Sequence, residues 1–439
     1  MRHLVCLLIA LFGCASVQAE FPLRDGDVWV MAGDSITAQH LHSNYFEAFC
    51  FARYPQWKFA FRNSGVGGHT IPTTLDRFEY DINAWKPTVV SVELGMNDQG
   101  RFTTEQYLEN MTKMVARIRE AKARPVMLTA SAINNGDTLV KIGGNRKLQD
   151  YAQALQEFSK REQPPFADQF HALIDIWGKN KPREQLANAL PGMRVWAEDP
   201  TLPGREHLRS FLTELDKAGE KPVSLEGDPV HPGAPGQLMM AAALLKELGA
   251  EPFVSSLTID ATGKLIEAKG CQAPTIKLTD TGLTFERRDE KLPFPIPDRT
   301  AGALPLCPLI AEMSQYLLKI PGLAAGNYAV KVNGVELAGV LSEKDFAAGV
   351  NLTELAARPT SSGVNAITAQ GHAVLNAVGA KENLVGQWRQ LSQRVHAANA
   401  DPNLRGGLDE LTKKVEDADE KIREAAVPKP LTFEVVKKG

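Results

Sequence analysis

The sequence predicts an α/β fold with a parallel sheet, followed by a smaller β-rich and helical C-terminal region. Two observations predict it. From Asp25 to about Ala250, short apolar runs alternate with amphipathic stretches. After Pro252 the pattern changes to short strands, several with period-2 alternation, and then to long polar helical stretches. Strands that alternate with helices imply a parallel sheet covered on both faces.

The elements follow in order. Val28 to Ala32 reads as a buried strand and Lys58 to Phe61 as a second. Thr88 to Leu94 is rich in β-branched residues and reads as a third. Pro125 to Ala130 makes a fourth, and Ala172 to Trp177 a short fifth. Asn44 to Arg53, Thr104 to Ala123 and Arg146 to Arg161 are the intervening amphipathic segments. The stretch Gly178 to Gly227 is Pro-rich and charged, and reads as an insertion near the site. Ala234 to Leu248 is a helical pattern that closes the first domain. In the second region, Asn333-Gly334 between two strand-like runs is a strong hairpin signal. Asn376 to Ala426 reads as helical with a break at Pro402 and Gly406-Gly407, and Leu431 to Val436 as a final strand. The expected layout is a first domain over 20–250, a β-rich module over 251–360 and a mostly helical segment over 361–439.

Of the 439 residues, 44% are hydrophobic and 23% charged, with a formal net charge of -3. This is ordinary globular composition without the basic excess of a nucleic-acid binder. Met1-Arg2-His3, the apolar run Leu4 to Phe12 and the small residues around Val17-Gln18-Ala19 have the layout of a secretory signal peptide. Cleavage after Ala19 is expected, giving an exported protein, periplasmic or extracellular, with no stable membrane insertion. Lipoprotein processing at Cys14 is the alternative. Cys50, Cys271 and Cys307 would then remain. A Cys271–Cys307 disulfide and three unpaired buried thiols are equally good readings of them.

Four short motifs carry chemistry when taken together. Gly33-Asp34-Ser35-Ile36 directly follows the first strand, where open α/β sheets hold their ligands. Alone, Ser35 reads as a helix N-cap. Asn63-Ser64-Gly65-Val66-Gly67-Gly68-His69-Thr70 follows the second strand, and its glycines let the backbone approach another group. Gly95-Met96-Asn97-Asp98 follows the third. Asp228-Pro229-Val230-His231-Pro232 comes much later, on a loop pinned by two prolines. Serine is a poor nucleophile without an adjacent base, and His231 oriented by Asp228 supplies one. The backbone N–H of Ser35, an N–H of the glycine loop and the amide of Asn97 are candidate oxyanion donors.

In order and spacing these four blocks resemble those of the SGNH (GDSL-like) hydrolase superfamily over about Asp25 to Leu248. The layout is similar to exported members from planctomycete-type bacteria. The resemblance implies a flavodoxin-like three-layer α/β/α domain, no metal and no diffusible cofactor. It implies Ser35 as nucleophile, His231 as base and Asp228 as its orienter. Ser35, Gly68 and Asn97 would form the oxyanion hole, with Gly67 as runner-up to Gly68. Ile36 stands where the name motif has Leu.

The expected activity is therefore serine-esterase hydrolysis of short acyl esters, with acetyl groups on carbohydrate as the favoured case. The expected partner is a small-molecule or polysaccharide ester, with no nucleic acid. Two alternatives stay open: a lipase or lysophospholipase, and a vestigial hydrolase serving as a cell-surface carbohydrate-binding protein. His40 and His42 form His-x-His without a third ligand at a fitting spacing, so they read as helix-surface or cleft-lining residues. His69 is a candidate pocket residue. Asp98 reads as a hydrogen-bonding partner within its loop.

Overall fold

The computed structural model describes residues 20–134, 143–218, 223–358 and 363–438. The expected export signal over 1–19, with Cys14, lies outside them. Five parallel strands form the first sheet: β1 (Val28–Gly33), β2 (Ala60–Gly65), β3 (Val89–Glu93), β4 (Arg124–Leu128) and β5 (Phe166–Ala167). Their order is β2-β1-β3-β4-β5. The chain leaves β1 to one side for β2 and to the other for β3. This opens a crevice beyond the carboxyl ends of β1 and β3, the usual ligand position in such sheets. Every residue of β3 is buried, as its run of Val89, Val90, Ser91, Val92 and Glu93 requires between two helical layers.

The helices of this domain are α1 (Ser35–Ala38), α2 (His42–Arg53), α3 (Ile71–Asp76), α4 (Thr104–Glu120), α5 (Gly143–Glu162), α6 (Gln169–Glu198), α7 (Arg205–Ala218) and α8 (Ala234–Glu247). A Thr103/Gln106 capping box starts α4. Its buried residues Tyr107, Met111, Met114, Val115 and Ile118 recur at helical spacing and face the sheet. In α8 every residue from Ala234 to Leu245 is buried. A helix apolar all round must be enclosed, and α8 is covered by α2, α6 and parts of the C-terminal region.

One sequence expectation needs correction. Ala172 to Trp177 is not a strand but part of α6, and β5 lies just upstream. Its apolar residues were too few to separate a buried strand from a buried helical stripe. The stretch Gly178 to Gly227, expected as an insertion, carries the rest of α6 and α7 among its described residues.

The second region holds β6 (Phe253–Ile259), β7 (Leu265–Lys269), β8 (Cys271–Thr279), β9 (Gly282–Asp289), α9 (Leu309–Glu312), β10 (Gln315–Lys319), β11 (Asn327–Val332) and β12 (Val335–Glu336). It continues with β13 (Leu341–Ser342), α10 (Glu343–Ala348), β14 (Val350–Asn351), α11 (Leu352–Ala357), α12 (Ala366–Val395), α13 (Leu404–Ala426) and β15 (Leu431–Lys437). One sheet runs β14-β10-β6-β7. The other runs β12-β11-β15-β9-β8, with β13 also paired to β11. Residues of both, including Leu257, Phe285, Tyr316, Val330 and Phe433, share one core. Cys50, Cys271 and Cys307 are buried and unpaired.

Beyond Ile367, which joins this second core, the helical pair α12 and α13 leaves it. It packs on α2 and β2 of the first domain. Trp388 stacks on Trp85 with ring centroids 3.5 Å apart. Arg62 of β2 forms a buried two-pronged pair with Asp419, at 3.0 and 2.7 Å. The Lys381 ammonium lies fully buried against Glu47 and Glu382.

Candidate active site

Gly33 ends β1 where a Cβ would meet Thr37 Oγ1 at 2.0 Å, so only glycine lets the chain turn this tightly into α1. Asp34 caps the short helix, accepting the Ile36 N–H at 3.0 Å. Burial pushes its carboxyl up to about 7. Ser35 is the first helical residue, and its Oγ lies 2.8 Å from His231 Nε2.

His231 sits on a closed loop. Gly227 and Pro232 form an antiparallel bridge, and the Asp228 N–H donates to the His231 carbonyl at 3.1 Å. Asp228 Oδ1 accepts the N–H groups of Val230 and His231, both at 2.8 Å. Its Oδ2 lies 3.0 Å from His231 Nδ1. The backbone N–H of His231 holds this carboxylate below its ordinary range. Pro229 O accepts the Asn134 N–H at 2.8 Å, and Pro232 O accepts from Gln237 Nε2 at 2.9 Å.

Gln237 leads into the core. Its Oε1 lies 3.0 Å from His42 Nδ1, and His42 Nε2 lies 2.8 Å from Glu93 at the end of β3. His42 is thus a core histidine rather than a helix-surface or cleft-lining one. Burial opposes its protonation, but the Glu93 carboxylate holds its pKa above the ordinary value. His40 pairs instead with Glu382 of α12, at 3.3 Å. Among the described residues, no group of three or more His, Cys, Asp or Glu converges as a metal cage would.

The glycine loop leaves β2 beside α1. A Cβ on Gly65 would meet Ala38 N at 2.4 Å, and one on Gly67 would meet Ser35 Cβ at 3.9 Å. The turn from Val66 to His69 therefore lies against the serine. Gly68 takes φ +75°, a conformation that favours glycine. Asn97 reaches the same turn, donating from Nδ2 to His69 O at 3.1 Å. Asp98 Oδ1 accepts the Ile71 N–H at 3.0 Å, and burial pushes this carboxyl up to about 6. His69 Nδ1 accepts from Arg77 Nε at 3.2 Å. Burial and the Arg77 and Arg389 guanidinium groups hold its imidazole below the ordinary pKa.

The structure thus brings Ser35, Asp228 and His231 into one hydrogen-bonded line and sets the Gly67–Gly68 turn and Asn97 beside it. Sequence reasoning missed Arg77, Asp81, Glu93, Gln237 and Arg389. None stands in a motif, and only their burial beside the site brings them out.

Residues 31–238 match the sequence profile of the GDSL-like Lipase/Acylhydrolase family. Over these residues the first domain is similar to this family. Hydrolysis of esters is its activity class. This acylhydrolase domain is 25% identical over 203 residues to an acetylxylan esterase of Geobacillus stearothermophilus, which covers 46% of this chain and 77% of the relative. It is 24% identical over 218 residues to the uncharacterized lipoprotein YqeF of Bacillus subtilis (strain 168), covering 42% and 86% respectively. Most of the chain shares its fold with a solved gut microbial diltiazem-metabolizing enzyme. That match has TM-score 0.70 and 22% identity, and covers 96% of this chain and 100% of the other. The acylhydrolase fold and the C-terminal helices and sheets therefore recur together in another protein.

Proposed function

We propose that the protein is an exported serine esterase that removes short acyl groups, acetyl on carbohydrate in the favoured case. Ser35 is the nucleophile, His231 the base and Asp228 its orienter. The Ser35 and Gly68 N–H groups and the Asn97 amide receive the oxyanion. The observation that carries this reading is the Ser35 Oγ to His231 Nε2 separation of 2.8 Å, with the far side of the imidazole 3.0 Å from Asp228 Oδ2.

The chemistry follows from that line of atoms. Nδ1–H donates to Asp228, which leaves the Nε2 lone pair facing Ser35. Ser35 Oγ attacks the ester carbonyl as its proton passes to Nε2. The imidazolium formed is stabilised by the Asp228 carboxylate. The oxyanion accepts hydrogen bonds from the Ser35 and Gly68 amides and Asn97 Nδ2. Collapse of the intermediate breaks the bond to the alcohol oxygen, which takes the proton from Nε2. Water then attacks the acyl-enzyme by the same route, giving the acid and free Ser35.

The acyl preference rests on the polar residues His69 and Asn97 at the glycine turn, on Gln99 and Arg101 of the loop that carries Asn97, and on the acetylxylan esterase among the relatives. Long acyl chains need apolar surface, at about 0.8 kcal/mol per buried methylene. One observation favours a lipase instead: Val195, Trp196 and Phe211 of α6 and α7 are exposed. Fluorophosphonate labelling of wild type and Ser35→Ala tests the nucleophile. kcat/KM across acetyl, butyryl, octanoyl and palmitoyl esters tests the substrate, with a fall along the series expected. A steady rise with interfacial activation would move the assignment to a lipase.

Export adds two parts to the reading: a mature chain beginning at Glu20, or a lipid on Cys14, which the lipoprotein relative keeps in play. No helix among the described residues is long and apolar enough to cross a membrane. N-terminal sequencing of the exported protein distinguishes the two.

A further inference from the structure

The glycine turn poses a physical problem. Gly65, Gly67 and Gly68 give it close approach to Ser35, but they also give it conformational freedom. An oxyanion donor is effective only when it is held in place before the reaction begins. Something outside the turn must hold it.

Its first peptide is gripped at both ends. The Val66 N–H donates to Gly33 O at 3.2 Å, tying the turn to the end of β1, two residues before Ser35. The Gly65 carbonyl points the other way, beyond the edge strand β2. It accepts from Arg389 Nη1 at 2.9 Å. The other two nitrogens of Arg389 fork onto Asp81, with Nε at 2.5 Å from Oδ1 and Nη2 at 2.8 Å from Oδ2. Asp81 in turn pairs with Arg77 and accepts from Ser64 Oγ at 2.8 Å. Arg77 reaches Gly33 O at 3.4 Å and His69 Nδ1 at 3.2 Å, on either side of the turn. Arg389 comes from α12, which also grips this segment through Ser392 Oγ to Tyr80 O at 2.5 Å.

We propose that Arg389, carried by the C-terminal helix α12, is a positioning residue of the esterase site, fixing the glycine turn through Gly65 O and through the Asp81–Arg77 pair. It touches no substrate. The inference rests on the reading of Ser35 and Gly68 above and assigns the C-terminal region a part in that site. Two guanidinium groups against one carboxylate also leave a net positive charge behind the turn. The direction in which His69 is shifted agrees with such a field.

The test uses the full chain with an acetyl ester. Arg389→Ala is expected to lower kcat on the order of tenfold to a hundredfold with KM nearly unchanged, since misplacement of about 1 Å has such an effect. Fluorophosphonate labelling of Ser35, which also develops charge at the turn, is expected to slow by a similar factor. Added guanidinium at low millimolar concentration is expected to restore part of kcat, and Arg389→Lys to retain an intermediate value. Lys381→Met, on the same helix but away from the turn, is expected to lower Tm and keep kcat in the folded fraction. If Arg389→Ala folds poorly, Arg389→Gln carries the same measurements. The proposal is overturned if kcat is unchanged, or if its loss tracks Tm alone and guanidinium restores nothing. Failure of the underlying reading looks different: Ser35→Ala would stay active and wild type would escape labelling, whatever Arg389 does.

Discussion

Ser35 and His231 are 196 positions apart in the chain, and their Oγ and Nε2 atoms lie 2.8 Å apart. The His231 imidazole meets Asp228 on its other side, and the Asp228 side chain is 59% exposed against 34% for His231. Ser35→Ala is expected to leave less than about a hundredth of wild-type turnover with Tm preserved, since it removes one oxygen at an open cleft. Measured kcat above that level would sink the nucleophile assignment.

Asp228→Asn is expected to lose less than His231→Ala. An asparagine oxygen can still accept the Val230 and His231 N–H groups that shape the loop. What it loses is the charge at Nδ1, and a water-exposed charge contributes less than a buried one. The order of the two kcat losses decides this, and a reversed order would give Asp228 a direct role.

Gly227→Ala is expected to damage the site without touching a reacting group. Gly227 has φ +69°, and a Cβ there would lie 2.1 Å from His231 O. The bridge that closes the loop must open, and His231 shifts with it. A fall in kcat on the order of a hundredfold with a modest loss of Tm is the expected result. Wild-type kcat would mean that the loop has slack the structure does not show.

The proposed reacting groups were legible because each sits in a short motif. Ser35, the Gly67–Gly68 turn and Asn97 follow β1, β2 and β3, so reading the strands located them, whereas Asp228 and His231 follow α7 and stand out by their spacing beside two prolines. The fifth strand misled because Ala172 to Trp177 is apolar on the face that α6 buries, and a short apolar run has no distinctive period. What supports the site was not legible. Arg389 and Gly65 are 324 positions apart, and an arginine in a helical pattern reads as solvated until packing encloses it. Lys381, Glu382 and Asp419 read the same way among the charges of the C-terminal segment.

The Asp34 carboxyl makes stability depend on pH. Its pKa is raised from 3.8 to about 7 in the fold. Between these values the folded chain keeps a proton that the unfolded chain has lost. Through this group, stability is therefore greatest below about pH 4 and declines as pH rises towards 7. Asp34→Asn keeps a cap acceptor and removes the titration. Its advantage over wild type is expected to grow from about 1 kcal/mol at pH 4.5 to on the order of a few kcal/mol at pH 8. Urea midpoints across that range measure it, and parallel profiles would show that Asp34 is ionised throughout.

The last prediction concerns the lysine that ties α12 to the acylhydrolase domain. Lys381 Nζ lies 2.8 Å from Glu47 Oε2 and 2.9 Å from Phe61 O, and it pairs with Glu382. All three side chains are buried. Removing the cation leaves two carboxylates facing each other out of water. Breaking a buried pair in this way costs about 3–5 kcal/mol, more than the pair itself contributes over an apolar filling. Lys381→Met is therefore expected to lower stability by about that amount at pH 7.5. The loss should shrink at pH 5, because Lys381 holds the Glu382 carboxyl low, and without it burial drives that group to take up a proton, which relieves the repulsion. Lys381→Met combined with Glu47→Gln and Glu382→Gln should recover much of the loss at pH 7.5. Unfolding in urea at the two pH values measures all of this. A loss of equal size at both, unrelieved by the glutamines, would mean that Lys381 acts through packing of its alkyl chain and not through its charge.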